Sequence, residues 1–369
     1  IRERASGFVR LADREDAIAF FASDLTREHL REVVRLFVAT GPSNHPVPYA
    51  RQGMGTINLL VFALLTMIAD LKERKSVIFA MEEPEIALPP HTQRRVARFV
   101  KTEMGQAIVT SHSPYIIEQF EPNEIVMLTH GDDGVVAGQP IDPAGVKLKS
   151  YRTQRRQFSE AILSRGVLVV EGETEASLIP VAAAVLEKSD SRYLHPDLAG
   201  LTIFTANGDG DVPRWAPIFR ALGKVPFGMV DKQNQPYGGD NAAAVTAYEE
   251  FFESSTKGVE ELLVAGVPTS VLRRFLDDVV ARSDFPRESA TYDTSTSSDD
   301  LPEVAKKVLA ARKGHAWGYA AALLEQCQTR DELPEFLVTA LERINTVLLG
   351  SAESEDDSSE PGDGSAEAR

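Results

Sequence analysis

The chain has 369 residues, 43% of them hydrophobic, and a formal charge of −16 at neutral pH. That length suits two or three domains with sizeable cores rather than one. The acidic balance excludes a broadly basic nucleic-acid coat, so a phosphodiester substrate would need metal ions or local basic patches. No apolar run reaches the length of a membrane span, and no signal peptide opens the chain. The single cysteine, Cys327, excludes an internal disulfide and a cysteine-built zinc site. These features fit a reducing cytoplasm and no membrane partner. A start at Ile1 is expected of a piece of a longer polypeptide.

In chain order, Arg51-Gln-Gly-Met-Gly-Thr-Ile-Asn58 is a glycine-containing turn that opens an apolar helix, Leu59 to Leu71. A helix start behind glycines can cradle phosphate oxygens. Ser76 to Met81 reads as a strand running into Glu82-Glu83-Pro84-Glu85. Gln106 to Thr110 is another, ending in Ser111-His112-Ser113-Pro114, and Glu124 to Leu128 is a third. Taken singly, the acids suit an exposed turn and His112 a hydrogen-bonded loop histidine. Their order and spacing resemble the second half of an ABC-type ATPase of the kind found in DNA-maintenance proteins. That resemblance puts Gln52, Gly53 and Gly55 in the nucleotide-signature loop. It makes Glu82 the Walker B carboxylate (usually Asp), Glu83 the base that orients water, and His112 the switch histidine sensing the γ-phosphate. One acid would hold Mg²⁺ while the next polarises the attacking water. No Gly-x-x-x-x-Gly-Lys-[Ser/Thr] stands anywhere in the chain. ATP hydrolysis is therefore not expected of this polypeptide alone, with ATP a cofactor of the full-length protein.

Pro140 and Pro143 punctuate a linker that becomes a cation-rich helix between Lys147 and Arg165. Arg152, Arg155 and Arg156 there would meet DNA phosphates, or else form a solvated helix face.

Residues 166–182, Gly-Val-Leu-Val-Val-Glu-Gly-Glu-Thr-Glu-Ala-Ser-Leu-Ile-Pro-Val-Ala, are the most informative stretch. Val167 to Val170 is a short apolar strand that ends on Glu171, and Glu175 follows one helical turn later. Carboxylates at the tip of a buried parallel strand lie where α/β sheets place ligands. Two hard oxygen donors at i, i+4 suit Mg²⁺ or Mn²⁺. Acids in a helix's first turn would also serve as a plain cap. Leu201 to Thr205 and Val225 to Val230 are two further strands, with helices at 176–188 and 212–222 between them. The second of these ends on Asp231-Lys232-Gln233, sixty residues after Glu171. The alternation describes a compact parallel α/β unit. It resembles the Toprim fold, whose first strand delivers a glutamate and whose third delivers an aspartate, often as Asp-x-Asp. Here Gln233 occupies the second place, a neutral and weaker oxygen donor. Asp240 or an acid from a later helix would complete the site. Asn207-Gly-Asp209-Gly-Asp211 mimics the opening of a calcium loop but lacks the distal glutamate, and reads as a turn.

Beyond Ala242 the spacing predicts helices at 271–280, 301–311 and 316–326, separated by a polar break at 286–300. Residues 351–369 hold seven acids against Arg369 and are expected to be disordered. An ABC-type half followed by a Toprim domain resembles the OLD (overcoming lysogenization defect) family of ATP-linked nucleases over about residues 45–345. The resemblance implies a two-metal DNA endonuclease using Mg²⁺ or Mn²⁺, with Glu171, Glu175, Asp231 and Gln233 around the ions. Glu260 or Glu261 would supply a further carboxylate, and Lys313 would face the transition-state phosphate. DNA and a second copy of the chain are the expected partners, with a helicase-like partner left open.

The fold class expected is α/β, a parallel-sheet ABC-ATPase half followed by a Toprim domain with an added helical region. The limits are 1–140 for the ATPase half without a Walker A, 141–165 for the basic linker helix, and 166–245 for the Toprim domain. A helical region, 246–348, and a disordered acidic tail, 349–369, complete it. A topoisomerase would need a tyrosine in a DNA-gate domain and a primase its zinc cysteines, and neither is recognisable. The non-enzymatic alternative is a DNA-repair ATPase scaffold with a degenerate Toprim, which Gln233 favours.

Overall fold

The computed structural model describes residues 1–10, 17–22, 34–40, 45–71, 78–130, 134–141, 148–312 and 318–356. It divides into two compact units, residues 1–121 and 122–369.

The first unit holds an antiparallel sheet of β1 (Ile18–Ala22), β2 (Val34–Val38) and β3 (Val47–Pro48), with the short helix α1 (Arg2–Ser6). Helix α2 (Met54–Leu71) starts five residues earlier than its apolar stretch indicates, at the glycine turn itself. Strand β4 (Ile78–Glu82) pairs in parallel with β5 (Gln106–Thr110), and α3 (Pro90–Glu103) connects them. Helix α4 (Pro114–Ile117) follows, its first turn capped by the Ser113 hydroxyl. Leu59, Phe62, Leu88, Val96 and Val100 form the core, with Phe8, Phe62 and Phe99 packed edge to face.

The second unit opens with a hairpin, β6 (Val126–His130) against β7 (Val136–Pro140). The strand expected at 124–128 is shifted two residues along, because Pro122–Glu124 is a 3-10 turn. Helix α5 (Leu148–Ala161) is the basic helix, broken by Gln154 at φ −117° and ψ 16°. Then come β8 (Gly166–Val170), α6 (Glu173–Ser189), α7 (Pro196–Ala199), β9 (Leu201–Thr205), α8 (Val212–Ala221), β10 (Val225–Val230) and α9 (Gly239–Val245). Strand β11 (Glu250–Glu253) adds to β10 in parallel, inside the stretch expected to be helical. Four residues, Glu-Phe-Phe-Glu, are too few to display a period. The sheet runs β11-β10-β8-β9, parallel throughout.

Side chains alternate between the sheet's faces. Leu168 and Val170 of β8, in register with Phe227 and Met229 of β10, join a core built with α6 and the helical region. That region is α10 (Val259–Gly266), α11 (Thr269–Val279), α12 (Leu301–Ala311), α13 (Tyr319–Leu324) and α14 (Glu335–Asp356). Helix α11 buries Val271, Leu272, Phe275, Leu276 and Val279, one stripe of its surface. Phe204, Trp215, Phe219 and Phe158 pack against one another, Phe204 and Trp215 edge to face with centroids 4.5 Å apart. Helix α14 runs to Asp356, past the limit of 348 expected for the helical region, because no proline interrupts Ser-Ala-Glu-Ser-Glu-Asp. The rest of the acidic tail lies outside the described residues. No helix among the described residues is long and apolar enough to cross a membrane.

Candidate functional site

Strand β8 is the hinge of the sheet's topology. The chain leaves it through α6 to β9 on one side, then returns through α8 to β10 on the other. The carboxyl ends of β8 and β10 thus form a topological switch point, where open α/β sheets bind ligands. Glu171 follows β8 and Asp231 follows β10, so acids sixty residues apart in sequence become neighbours. The Asp231 amide donates to Glu171 Oε1 at 2.7 Å. Glu175 lies in the first turn of α6, its Oε2 atom close above Gly172. Glu175 and Asp231 share a small cavity with Leu178, Met229, Val259 and Leu262.

Gln233 presents its amide nitrogen, a donor, 3.5 Å from Glu171 Oε1 and 3.0 Å from the Asp231 carbonyl oxygen. Its backbone N–H donates to Glu253 at the end of β11, 2.9 Å away. Glu260 and Glu261 lie in the first turn of α10, the helix whose Val259 and Leu262 border the cavity. Glu173 accepts from the Thr205 hydroxyl at 3.3 Å, and Asp240 lies exposed in the first turn of α9. Lys313 lies outside the described residues. On α5, Arg156 pairs with Glu160 at 3.3 Å and Arg155 lies over the Tyr151 ring, while Arg152 is exposed.

Three residues near the site are not assigned to it from the sequence, where Asp209 reads as part of a turn. The Asn207–Asp211 turn lies against Glu171, and Asp209 is one of the charges Glu171 feels. Tyr237 donates its hydroxyl to the Asp209 carbonyl oxygen at 3.1 Å. Glu253 is the third. Asp209 and Tyr237 lie in the segments that follow β9 and β10, and Glu253 is the last residue of β11.

Burial pushes the Glu171 carboxyl up to about 7, and the charges of Asp231, Glu175 and Asp209 push the same way against the Asp231 amide. Burial, then the charges of Asp209, Glu171 and Glu253, holds the Tyr237 phenol well above its usual range. Glu171, Glu175 and Asp209 have no ion-pair partner among the described residues. An all-oxygen, negatively charged set of this kind has the chemistry of a hard divalent-cation site. In the present arrangement no three Asp, Glu, His or Cys side chains among the described residues close on one point. Glu171 is turned onto the Asp231 amide instead. The donors fit an ion, but they do not form a ready-made cage.

In the first unit, Glu82 ends β4 beside Thr110, and Glu83 follows at φ +42°, its N–H donating to the Thr110 carbonyl at 3.0 Å. That turn brings Glu83 Oε1 to 3.6 Å from His112 Nε2. Glu85 Oε1 accepts from the Ser111 hydroxyl and the His112 amide, at 2.7 and 2.9 Å. Gln52 donates to the carbonyls of Val38 and Val47, and Gly53 is exposed. Gly55 sits so near Ala87 that a Cβ there would lie 2.3 Å from its carbonyl oxygen.

Residues 12–117 match the model of an AAA ATPase domain. Residues 162–232 match that of the overcoming lysogenization defect protein-like TOPRIM domain, a nuclease-family module. No curated protein matches the chain. Among solved structures it is similar to the C-terminal region of the Burkholderia pseudomallei OLD protein, with 20% identity, a TM-score of 0.32, and coverage of 50% of this chain and 98% of that one. The C-terminal region of the Xanthomonas campestris pv. campestris OLD protein gives 17% identity, a TM-score of 0.36, and coverage of 53% and 99%. A structure described under ATP-driven dimerization and DNA-stimulated activation of SMC ATPases gives 14%, 0.29, 38% and 82%. The chain thus joins a segment similar to an AAA ATPase domain to a segment similar to the TOPRIM domain of overcoming lysogenization defect proteins.

Proposed function

We propose that the chain is the nuclease-bearing part of an ATP-linked OLD-type protein that cleaves DNA phosphodiesters with two divalent ions, Mg²⁺ or Mn²⁺. One observation supports this most: Glu171, Glu175 and Asp231 lie around the switch point, where burial first and the neighbouring acids after it push the Glu171 carboxyl up to about 7. Glu171, Glu175 and Asp231 would hold the ions, helped by Gln233 and by Glu260 or Glu261. A bound divalent ion would supply an activated water and offset charge on the phosphate. To bind an ion, Glu171 would have to give up its proton and release the Asp231 amide. Lys313 would lie against the reacting phosphate, and Arg152, Arg155 and Arg156 along the DNA backbone. In the ATPase part, Glu82, Glu83 and His112, with Gln52, Gly53 and Gly55, would form the half-site for ATP in a homodimer. The division at 140, 165 and 245 is part of the same reading, with the helical region carried on to Asp356, as is a cytoplasmic location.

The second reading is a non-catalytic repair scaffold. The amide nitrogen of Gln233, turned toward Glu171 where an acid would bind an ion, favours it. Incubating supercoiled plasmid with Mg²⁺, Mn²⁺, Ca²⁺ or EDTA separates the two. The nuclease reading expects metal-dependent nicking or linearisation that Glu171→Ala abolishes while the variant stays folded. Cleavage by Glu171→Ala at the wild-type rate overturns the site assignment. Intact plasmid with every metal, from a folded protein, favours the scaffold.

A further inference from the structure

The Asn207–Asp211 turn is tied into the acidic site from two directions. Asn207 and Gly208 both adopt positive φ, 61° and 127°, which folds the chain back over the tip of β8. The Gly208 amide then donates to the Glu171 carbonyl oxygen at 2.8 Å, and the Ala206 amide to that of Val170 at 2.8 Å. From the other side comes Tyr237, in the segment that follows Asp231, with its hydroxyl 3.1 Å from the Asp209 carbonyl oxygen. The Tyr237 ring rests edge-on against Phe251 of β11, at 6.0 Å between centroids. Phe251 in turn lies over Gly228 of β10, where any Cβ would stand 2.5 Å from its ring. A phenol braced on one strand thus holds the loop that follows another.

We propose that Tyr237 is a positioning residue of the acidic site, its hydroxyl fastening the Asn207–Asp211 turn so that Asp209 stands with Glu171 as the acid that position 233 lacks. The inference rests on the cation-site reading of Glu171, Glu175 and Asp231. Its chemistry is that of a hard-cation site short of one anionic donor. Gln233 offers a neutral amide, whereas Asp209 brings a carboxylate from the adjacent strand end, without an ion-pair partner among the described residues. A phenol hydroxyl is a hydrogen-bond donor throughout the neutral range, so Tyr237 can hold the Asp209 carbonyl oxygen there.

Mn²⁺ titration of the whole chain, followed by the loss of free-ion signal in electron paramagnetic resonance, tests this without any turnover. Tyr237→Phe keeps the ring against Phe251 and removes only the hydroxyl. Its Mn²⁺ affinity is expected to fall about tenfold with an unchanged melting temperature in EDTA, the usual effect of losing an outer-shell partner. Asp209→Asn should lose at least as much, and adding Gln233→Asp to Asp209→Asn should restore binding. Wild-type affinity in Asp209→Asn overturns the inference, as does failure of Gln233→Asp to restore it. A Tyr237→Phe defect that only tracks a lowered melting temperature marks a structural hydroxyl and overturns the positioning role. A wild-type chain that binds no Mn²⁺ overturns the cation-site reading itself, and this inference with it.

Discussion

Glu171 combines two environments that oppose each other. Its backbone follows directly on a fully buried strand, while its carboxyl feels the charges of three other acids. A folded-state value near 7 against about 4.5 in the unfolded chain means the native protein holds the extra proton between those limits. Native stability from this group is therefore greatest at low pH and falls as pH rises from about 4.5 through 7. Because the group is half exposed, the cost above pH 7 is about 1 to 2 kcal/mol, well under the unscreened value. Glu171→Gln mimics the protonated state. In EDTA it should melt above wild type at pH 8, with the gap closing by pH 4.5. Equal melting curves at both pH values would show that Glu171 titrates normally and that the acids around it do not interact.

At the scale of elements, β9 is an edge strand whose outward backbone groups need partners. Helix α5 supplies them. Gln154, buried and out of helical geometry, donates to the Thr205 carbonyl, and Gln157 accepts from the Thr205 amide and hydroxyl at 3.2 and 2.8 Å. The basic composition of 147–165 made this helix legible, but it pointed to the arginines. Tyr151 and Phe158, both fully buried, mark the inward face, but the strand edge is held by Gln154 and Gln157, polar residues that no hydrophobic period marks. Gln157→Ala should cost about 1 to 3 kcal/mol in urea unfolding, the penalty for a donor left without its acceptor. A change within a few tenths would mean that water replaces the glutamine and the edge is open. Strand β11 escaped notice for a related reason, being an edge strand of four residues that reads like the end of a helix.

For the whole molecule, the two compact units hold the two matched domains, the AAA ATPase domain within residues 1–121 and the TOPRIM domain within 122–369. The ATPase part pairs Glu83 with His112, yet the sequence contains no loop of the Gly-x-x-x-x-Gly-Lys-[Ser/Thr] type to hold the β- and γ-phosphates. This chain with Mg²⁺ and ATP is expected to release no inorganic phosphate above the rate without protein. Steady turnover that Glu83→Gln removes would show that another phosphate-binding loop exists within these residues.

The sequence by itself determined the order of the two domains, the strands that end on Glu82, Glu171 and Asp231, and the amphipathic helices beyond them. Those features are local: a buried β-branched run, a turn residue or an apolar stripe is visible within a dozen residues. Only the tertiary structure decided the company Glu171 keeps. Asp209, Tyr237 and Glu253 follow three different segments of chain, and the parallel sheet gathers them because all its strands end on one side. The same assembly turned Gln233 nitrogen-first toward Glu171 and raised the carboxyl's proton affinity. Burial and the sum of neighbouring charges are properties of packing, and no single stretch of sequence contains them.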